Sequence, residues 1–161
     1  MIPHKILVPT DGSAPARSAE AFAADVARMM GDAEIELVHV IPMSCIGLDE
    51  DVTTANMVKV REVNYRACTV DEHKAAGAIV KAAAARVKAL VGDAVKVTPE
   101  VIEDPSPAAA IIEEAHAGGT CSLIVMGNRG LGGFASLALG SVSTQVLHGA
   151  HCPVVVVKSE D

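Results

Sequence analysis

Hydrophobic positions along this chain fall into two alternating kinds of run. The blocks Lys5 to Pro9 (KILVP), Ser122 to Met126 (SLIVM) and Pro153 to Val157 (PVVVV) are short and apolar without alternation. Such runs read as strands covered on both faces, since a strand showing one face to water would alternate. Glu34 to Ile41 (EIELVHVI) and Val95 to Ile102 (VKVTPEVI) complete a set of five strands. Between them, apolar residues recur at helical spacing. Ala21, Phe22, Val26 and Met29 mark a first helix over roughly residues 13 to 30, and Ile79, Val80, Val87, Leu90 and Val91 line one face of an Ala-rich second helix from about Thr69 to Val91. Ala108 to Ala117 and Ser141 to Gly149 are the third and fourth helices.

The punctuation agrees with this division. Ser13 is a good N-cap with Pro15 just inside the first turn, and Ser106 or Pro107 opens the third helix. Pro42 stops the second strand, Gly118-Gly119 ends the third helix, and Pro153 takes the permitted first position of the last strand. The tripeptide Gly-Asp-Ala precedes a strand twice, at Gly31-Asp32-Ala33 and Gly92-Asp93-Ala94. There glycine can adopt the left-handed conformation that closes a helix. This is turn chemistry rather than evidence of duplication. Residues 44 to 66, with the acidic run Asp49-Glu50-Asp51, show no clear period and read as a mobile lid or a short helix.

The order βαβαβαβαβ implies right-handed crossovers and an α/β fold. The expected architecture is a doubly wound, five-stranded, mostly parallel sheet with helices on both faces. At 161 residues the chain suits one domain over 1–161. Ligands in such folds sit beyond the carboxyl ends of the strands, where strand order reverses.

Composition narrows the function. With 2% aromatic residues and no Trp, the core must be built from Ala, Val, Ile, Leu and Met. A formal charge of −7 without a basic run argues against a nucleic-acid partner. The apolar runs are far too short to span a bilayer, so no membrane segment is expected. The first apolar run, Ile6 to Pro9, follows no basic leader, and a cytoplasmic protein is expected. Cys45, Cys68, Cys121 and Cys152 form no C-x-x-C pair and are expected as reduced thiols. The six histidines show no metal-ligand spacing.

Candidate chemistry concentrates between the fourth strand and the last helix. Gly127, Gly130, Gly140 and Ser141 there follow the spacing G-x2-G-x9-G-S. Bare glycines let a backbone turn sharply and approach an anion, and the free N–H groups that begin a helix attract phosphate. Ser141 lacks a nucleophile elbow and a motif-placed His and Asp, so a hydrolase triad is not expected.

Together with the opening KILVPTDGS and the closing HCPVVVV, this segment resembles the ATP-binding branch of the universal stress proteins over nearly the whole chain. The resemblance implies a Rossmann-like fold of the adenine nucleotide alpha hydrolase-like type with strand order 3-2-1-4-5. It implies that Gly127, Gly130, Gly140, Ser141 and Ser143 cradle ribose and phosphates, with Met126 ending the strand beside them, Arg129 near the loop and Val142 contributing backbone. Pro9, Thr10 and Asp11 would lie near the nucleotide and Val40 where adenine rests, with Asp11 helping to hold Mg²⁺. One position departs from the family pattern: many members have glycine two residues before the proline opening the third helix, and here Pro105 stands there.

Two of these residues also have simpler readings, Asp11 as a turn residue bonding its own backbone and Arg129 as a solvated loop charge. The resemblance implies a regulatory ATP binder, with ADP or AMP as other adenine nucleotides the loop would hold. The last strand, Val154, Val155, Val156 and Val157, would lie at a sheet edge, where pairing with its twin gives a homodimer. Occupancy is expected to change the ordering of residues 44 to 66 or of the glycine loop. Rival readings are a slow Mg²⁺-dependent ATPase or nucleotidyl transferase, and a nucleotide-free dimeric interaction module.

Overall fold

Ile6, Leu7 and Val8 are all fully buried, which requires covering layers on both sides of the first strand. The computed structural model describes residues 4–43, 45–47, 64–65, 68–117, 121–130 and 139–159. Its elements in chain order are β1 (His4–Pro9), α1 (Ala14–Met30), β2 (Ala33–Pro42), β3 (Cys45–Gly47), β4 (Asn64–Tyr65) and α2 (Val70–Val91). A 3₁₀ turn at Gly92–Ala94 leads to β5 (Lys96–Asp104), α3 (Pro107–His116), β6 (Cys121–Gly127), α4 (Ser141–Gly149) and β7 (Val154–Val157).

Five strands form one sheet in the order β5-β2-β1-β6-β7. Every neighbouring pair is parallel. Counted along the five, this is 3-2-1-4-5, so the direction of winding reverses between β1 and β6. Side-chain alternation splits the core in two. Ile6, Val8, Ile35, Leu37 and Val125 face α1 and α2, whereas Leu7, Val38, Ile124 and Met126 face α3 and α4. Among the described residues no helix is long and apolar enough to cross a membrane.

Helix starts follow their sequence signals. The side chains of Ser13, Thr69 and Ser106 each accept a first-turn amide, and Thr69 completes a reciprocal capping box with Glu72. Gly31 and Gly92 both take positive φ, +78° and +66°, where α1 and α2 end. Strands β2 and β5 both run past their expected carboxyl ends: β2 continues through Pro42, which pairs with Asp104 of β5. Pro99 stands inside β5, opposite Leu37. A proline there lacks a ladder donor and is tolerated because, among the described residues, β5 has a neighbour on one side only. Lys96, Glu100 and Glu103 add charge to this margin, whereas β7 at the other margin is four uncharged valines. In the expected lid region, β3 and β4 form a two-stranded antiparallel pair, and the rest lies outside the described residues.

The expected face of α1 is corrected. Phe22 and Met29 are exposed, the latter at 86%, while Ala16, Ala19, Ala23, Ala24 and Ala27 are buried. α1 lies beside α2 on one face of the sheet, packed against β6, β1 and β2 as well as against α2, and small side chains allow that approach. The same face carries a buried carboxylate, Glu20, at 1% exposure. Its oxygens accept from Arg86 Nε at 2.8 Å, Arg86 Nη2 at 3.0 Å and Thr10 Oγ1 at 2.6 Å. The hydrogen bond to Glu20 holds the Arg86 guanidinium above its usual range. The triad fastens α1, α2 and the end of β1 to one another. On the opposite face, buried Lys5 is paired with Glu36 at 2.6 Å and Glu114 at 3.3 Å.

Two outcomes follow for stability. Arg86→Ala should cost more than Glu20→Gln, about 3–5 against about 2 kcal/mol, because it strands the buried charge rather than neutralising it. Thermal or urea unfolding reads the order, and equal, negligible losses would remove the triad from the fold's support. Gly127→Ala should cost about 1–3 kcal/mol, since its Cβ would meet the Pro15 carbonyl carbon at 2.7 Å and Pro15 Cβ at 2.8 Å. The same unfolding assay checks it.

Candidate functional site

At the winding reversal, the carboxyl ends of β1, β2 and β6 open into a cavity of about 630 Å³. That volume suits a drug-sized ligand or a mononucleotide. Beyond β1, Thr10 N donates to Val38 O at 2.8 Å, extending the ladder one residue past the strand. The chain then turns at Gly12, whose φ of +78° favours glycine, and enters α1. Asp11 Oδ1 accepts from Ser13 N at 2.9 Å, so the turn-forming role read from sequence is present. Asp11 also lines the cavity, and an ideal Cβ on Gly130 would lie 2.6 Å from its Oδ2. A bare residue at 130 therefore makes room for that carboxylate.

Beyond β6, the chain leaves and returns to the same place. Asn128 N donates to Val157 O at 2.9 Å, and Gly140 N donates to Asn128 O at 2.7 Å. Ser143 Oγ, buried, donates to Gly127 O at 3.0 Å with Asn128 O at 3.2 Å. These bonds dock the first turn of α4 against the end of β6. The Ser143 hydroxyl hydrogen is thereby engaged with main chain, tying the first turn of α4 to the end of β6. Gly127 has a reason beyond ligand approach, since its missing Cβ admits the first turn of α1.

The start of α4 differs from the other helix starts. Gly140 occupies its N-cap with an extended backbone, no side chain among the described residues caps it, and its first turn carries no acidic residue. Its opening residues Ser141, Val142 and Ser143 line the cavity, and Ser141 is exposed. Amides at an uncapped helix start attract an anion through both their hydrogens and the helix dipole.

All twelve residues read from the sequence line this one cavity: Pro9, Thr10 and Asp11 after β1, Val40 on β2, Met126, Gly127, Arg129 and Gly130 after β6, and Gly140 to Ser143 at α4. Arg129 is half-buried in that lining rather than fully solvated. Six further lining residues escaped sequence reasoning: Ala16, Val38, His39, Pro42, Pro107 and Ile111. Val38, His39 and Pro42 share the carboxyl end of β2 with Val40, so the general placement of ligands at strand ends could have found them. Pro107 and Ile111 are one helical turn apart on α3 and share a face. His39 Nδ1 lies 2.8 Å from Thr10 O, and because a carbonyl only accepts, that nitrogen carries the proton. Asp11 is the sole carboxylate among the described lining residues. Among the described residues no cluster of three or more His, Cys, Asp and Glu is poised for a metal. Residues 131–138 of the glycine segment lie outside the described residues.

Comparison with known proteins places this arrangement. A family model described as the universal stress protein family matches residues 3–158. A universal stress protein of Methanocaldococcus jannaschii is 33% identical over 96% of this chain and 81% of its own length. One from Mycolicibacterium smegmatis is 32% identical over 98% of this chain, which spans about half (49%) of that relative. Among solved structures, a universal stress protein of Archaeoglobus fulgidus in complex with dAMP superposes with a TM-score of 0.70 at 21% identity, covering 98% of this chain and 100% of that one. A universal stress protein in complex with cAMP gives 0.67 at 21% identity, covering 99% and 100%. The chain belongs to the universal stress protein family.

Proposed function

We propose that the cavity binds an adenine nucleotide, ATP foremost with ADP and AMP as further ligands, and that binding serves regulation rather than catalysis. The observation that carries the reading is the start of α4. Three of the four described α-helices close a first-turn amide with the Ser or Thr side chain at their N-cap, and the fourth, whose opening residues line the cavity, has glycine there. The apolar wall made by Pro9, Val38, Val40, Ile111 and Met126 suits a purine face, and Arg129 adds positive charge beside the loop. The dAMP and cAMP complexes of structural relatives support the ligand class.

In this reading phosphate is held by the amides of Ser141 to Ser143 and the Ser141 hydroxyl. Mg²⁺ would be held by Asp11 together with phosphate oxygens and water, because Mg²⁺ takes few protein carboxylates. A regulatory role is supported by how the polar groups are spent. Asp11 and His39 each commit an atom to nearby main chain, and Ser143 is tied to Gly127 and Asn128. The proposed assembly is a cytoplasmic homodimer through β7, whose outer side has no neighbouring strand within the sheet.

Gly140→Asp separates binding from folding. Its extended backbone accepts any residue, the nearest atom to a new Cβ is 3.5 Å away, and aspartate is a favoured N-cap. The variant should keep wild-type stability, while its carboxylate takes the anion's place and weakens ATP binding by at least about tenfold, or about 1.4 kcal/mol. Isothermal calorimetry reads this, and unchanged affinity would refute the site.

Asp11→Asn retains an acceptor for Ser13 N while removing the charge. It should abolish the dependence of ATP affinity on Mg²⁺, with little change in the Mg²⁺-free affinity. A phosphate-release assay on both proteins checks the regulatory reading, for which rapid, Asp11-dependent turnover would be fatal.

A further inference from the structure

We propose that Cys121 and Cys152 form a reversible dithiol–disulfide pair that staples the start of β6 to the approach of β7. Their sulfurs are 3.6 Å apart although 31 positions separate them in the chain. Cys152 S–H donates to Cys121 Sγ, and Cys121 S–H donates to Leu123 O at 3.5 Å. The main chain fixes this meeting: Ile124 N donates to Pro153 O at 2.9 Å, and Ile124 is in register with Val154. Both thiols are half-buried, neither sealed in the core nor fully in water. The pair lies at the opposite end of β6 from the cavity, and the inference does not depend on what the cavity binds.

The chemistry balances with a peroxide as oxidant. One thiolate attacks a peroxide oxygen, the O–O bond breaks, and a sulfenic acid forms as the first water leaves. The second sulfur then attacks the sulfenic sulfur, the S–S bond forms, and the displaced hydroxide takes the remaining thiol proton as the second water. Two electrons pass from the two sulfurs to the peroxide. Burial pushes the Cys121 thiol up to about 11 against the opposing influence of Lys5, its register partner in β1, which suits Cys121 to resolve a sulfenic acid on Cys152 rather than to initiate. In a reducing compartment the resting state is the dithiol, and exchange with a small dithiol restores it.

The ring so closed contains β6, the glycine segment and α4. A crosslink of this span restricts the unfolded chain and should raise the melting temperature by on the order of 10 °C.

The test uses the full chain with Cys45→Ser and Cys68→Ser, so that only the pair remains, alongside the unaltered protein. Each is treated with hydrogen peroxide, alkylated and mapped without reduction. The expected result is one intramolecular crosslink joining the Cys121 and Cys152 peptides, loss of both thiols to Ellman's reagent, the rise in melting temperature, and full reversal by dithiothreitol. Cys121→Ser and, separately, Cys152→Ser should abolish crosslink and thermal shift together, with Cys→Ala replacements as alternates if either serine variant folds poorly. Free thiols at high peroxide, a sulfinic acid on either residue without a crosslink, crosslinks only between chains, or a crosslink without thermal shift would each overturn the proposal.

Discussion

Amides at the start of a helix require acceptors, and Gly140 has no side chain with which to supply one. The placement of α4 turns this local deficit into a site. The bond from Gly140 N to Asn128 O and those from Ser143 Oγ to Gly127 and Asn128 bring the bare first turn back to the strand end from which the chain departed. Because β1 and β6 flank the winding reversal, that turn faces the ends of β1 and β2 as well. A helix start of the kind that attracts anions and an apolar wall thus converge on one cavity, and no lysine is among its described lining residues.

The rigidity of this convergence originates on the other face of the sheet. Thr10, in the cavity lining, hands its hydroxyl hydrogen to Glu20, which is clamped by Arg86 of α2. A buried carboxylate is costly without such partners, so the triad holds α1, α2 and the end of β1 in a single geometry. Any rearrangement that slides α2 against α1 must break the Arg86–Glu20 pair, whose carboxylate also holds Thr10, one residue from Asp11. The packing of Gly127 against Pro15 fixes β6 to α1 in the same manner. The cavity floor is therefore set by interactions of α1 and α2, of which Ala16 of α1 alone among their described residues reaches the cavity lining.

The strands were legible because burial on both faces leaves uninterrupted apolar runs such as Ile6 to Pro9 and Leu123 to Met126. The glycine and serine positions were legible because their spacing sits between a strand and a helix, where only a few chemistries need it. The buried face of α1 does not carry Phe22 and Met29, two of the residues whose helical spacing marked the helix. Both have more apolar surface than alanine, yet close packing against the sheet and α2 together selects the alanines. Glu20 was invisible since its burial depends on Arg86, 66 positions away, and no local pattern announces such a partner. Val38, Pro107 and Ile111 were missed because apolar residues at a ligand wall and in a core look alike in sequence. The approach of Cys121 to Cys152 likewise depends on the register of β6 with β7, which only the assembled sheet defines.

The two margins of the sheet are chemically unequal. On the β5 side, Pro99 removes a donor from the middle of the strand and Lys96 and Glu100 surround it with charge. On the β7 side, four consecutive valines remove no donor, so the amides that point away from β6 can still pair. A tile with one adhesive border and one blunted border can join a second tile border to border, after which both outward borders are blunted. Under the proposed pairing through β7, growth by strand addition would terminate, and a sheet this rich in β-branched residues would be spared the open-ended stacking that leads to fibrils.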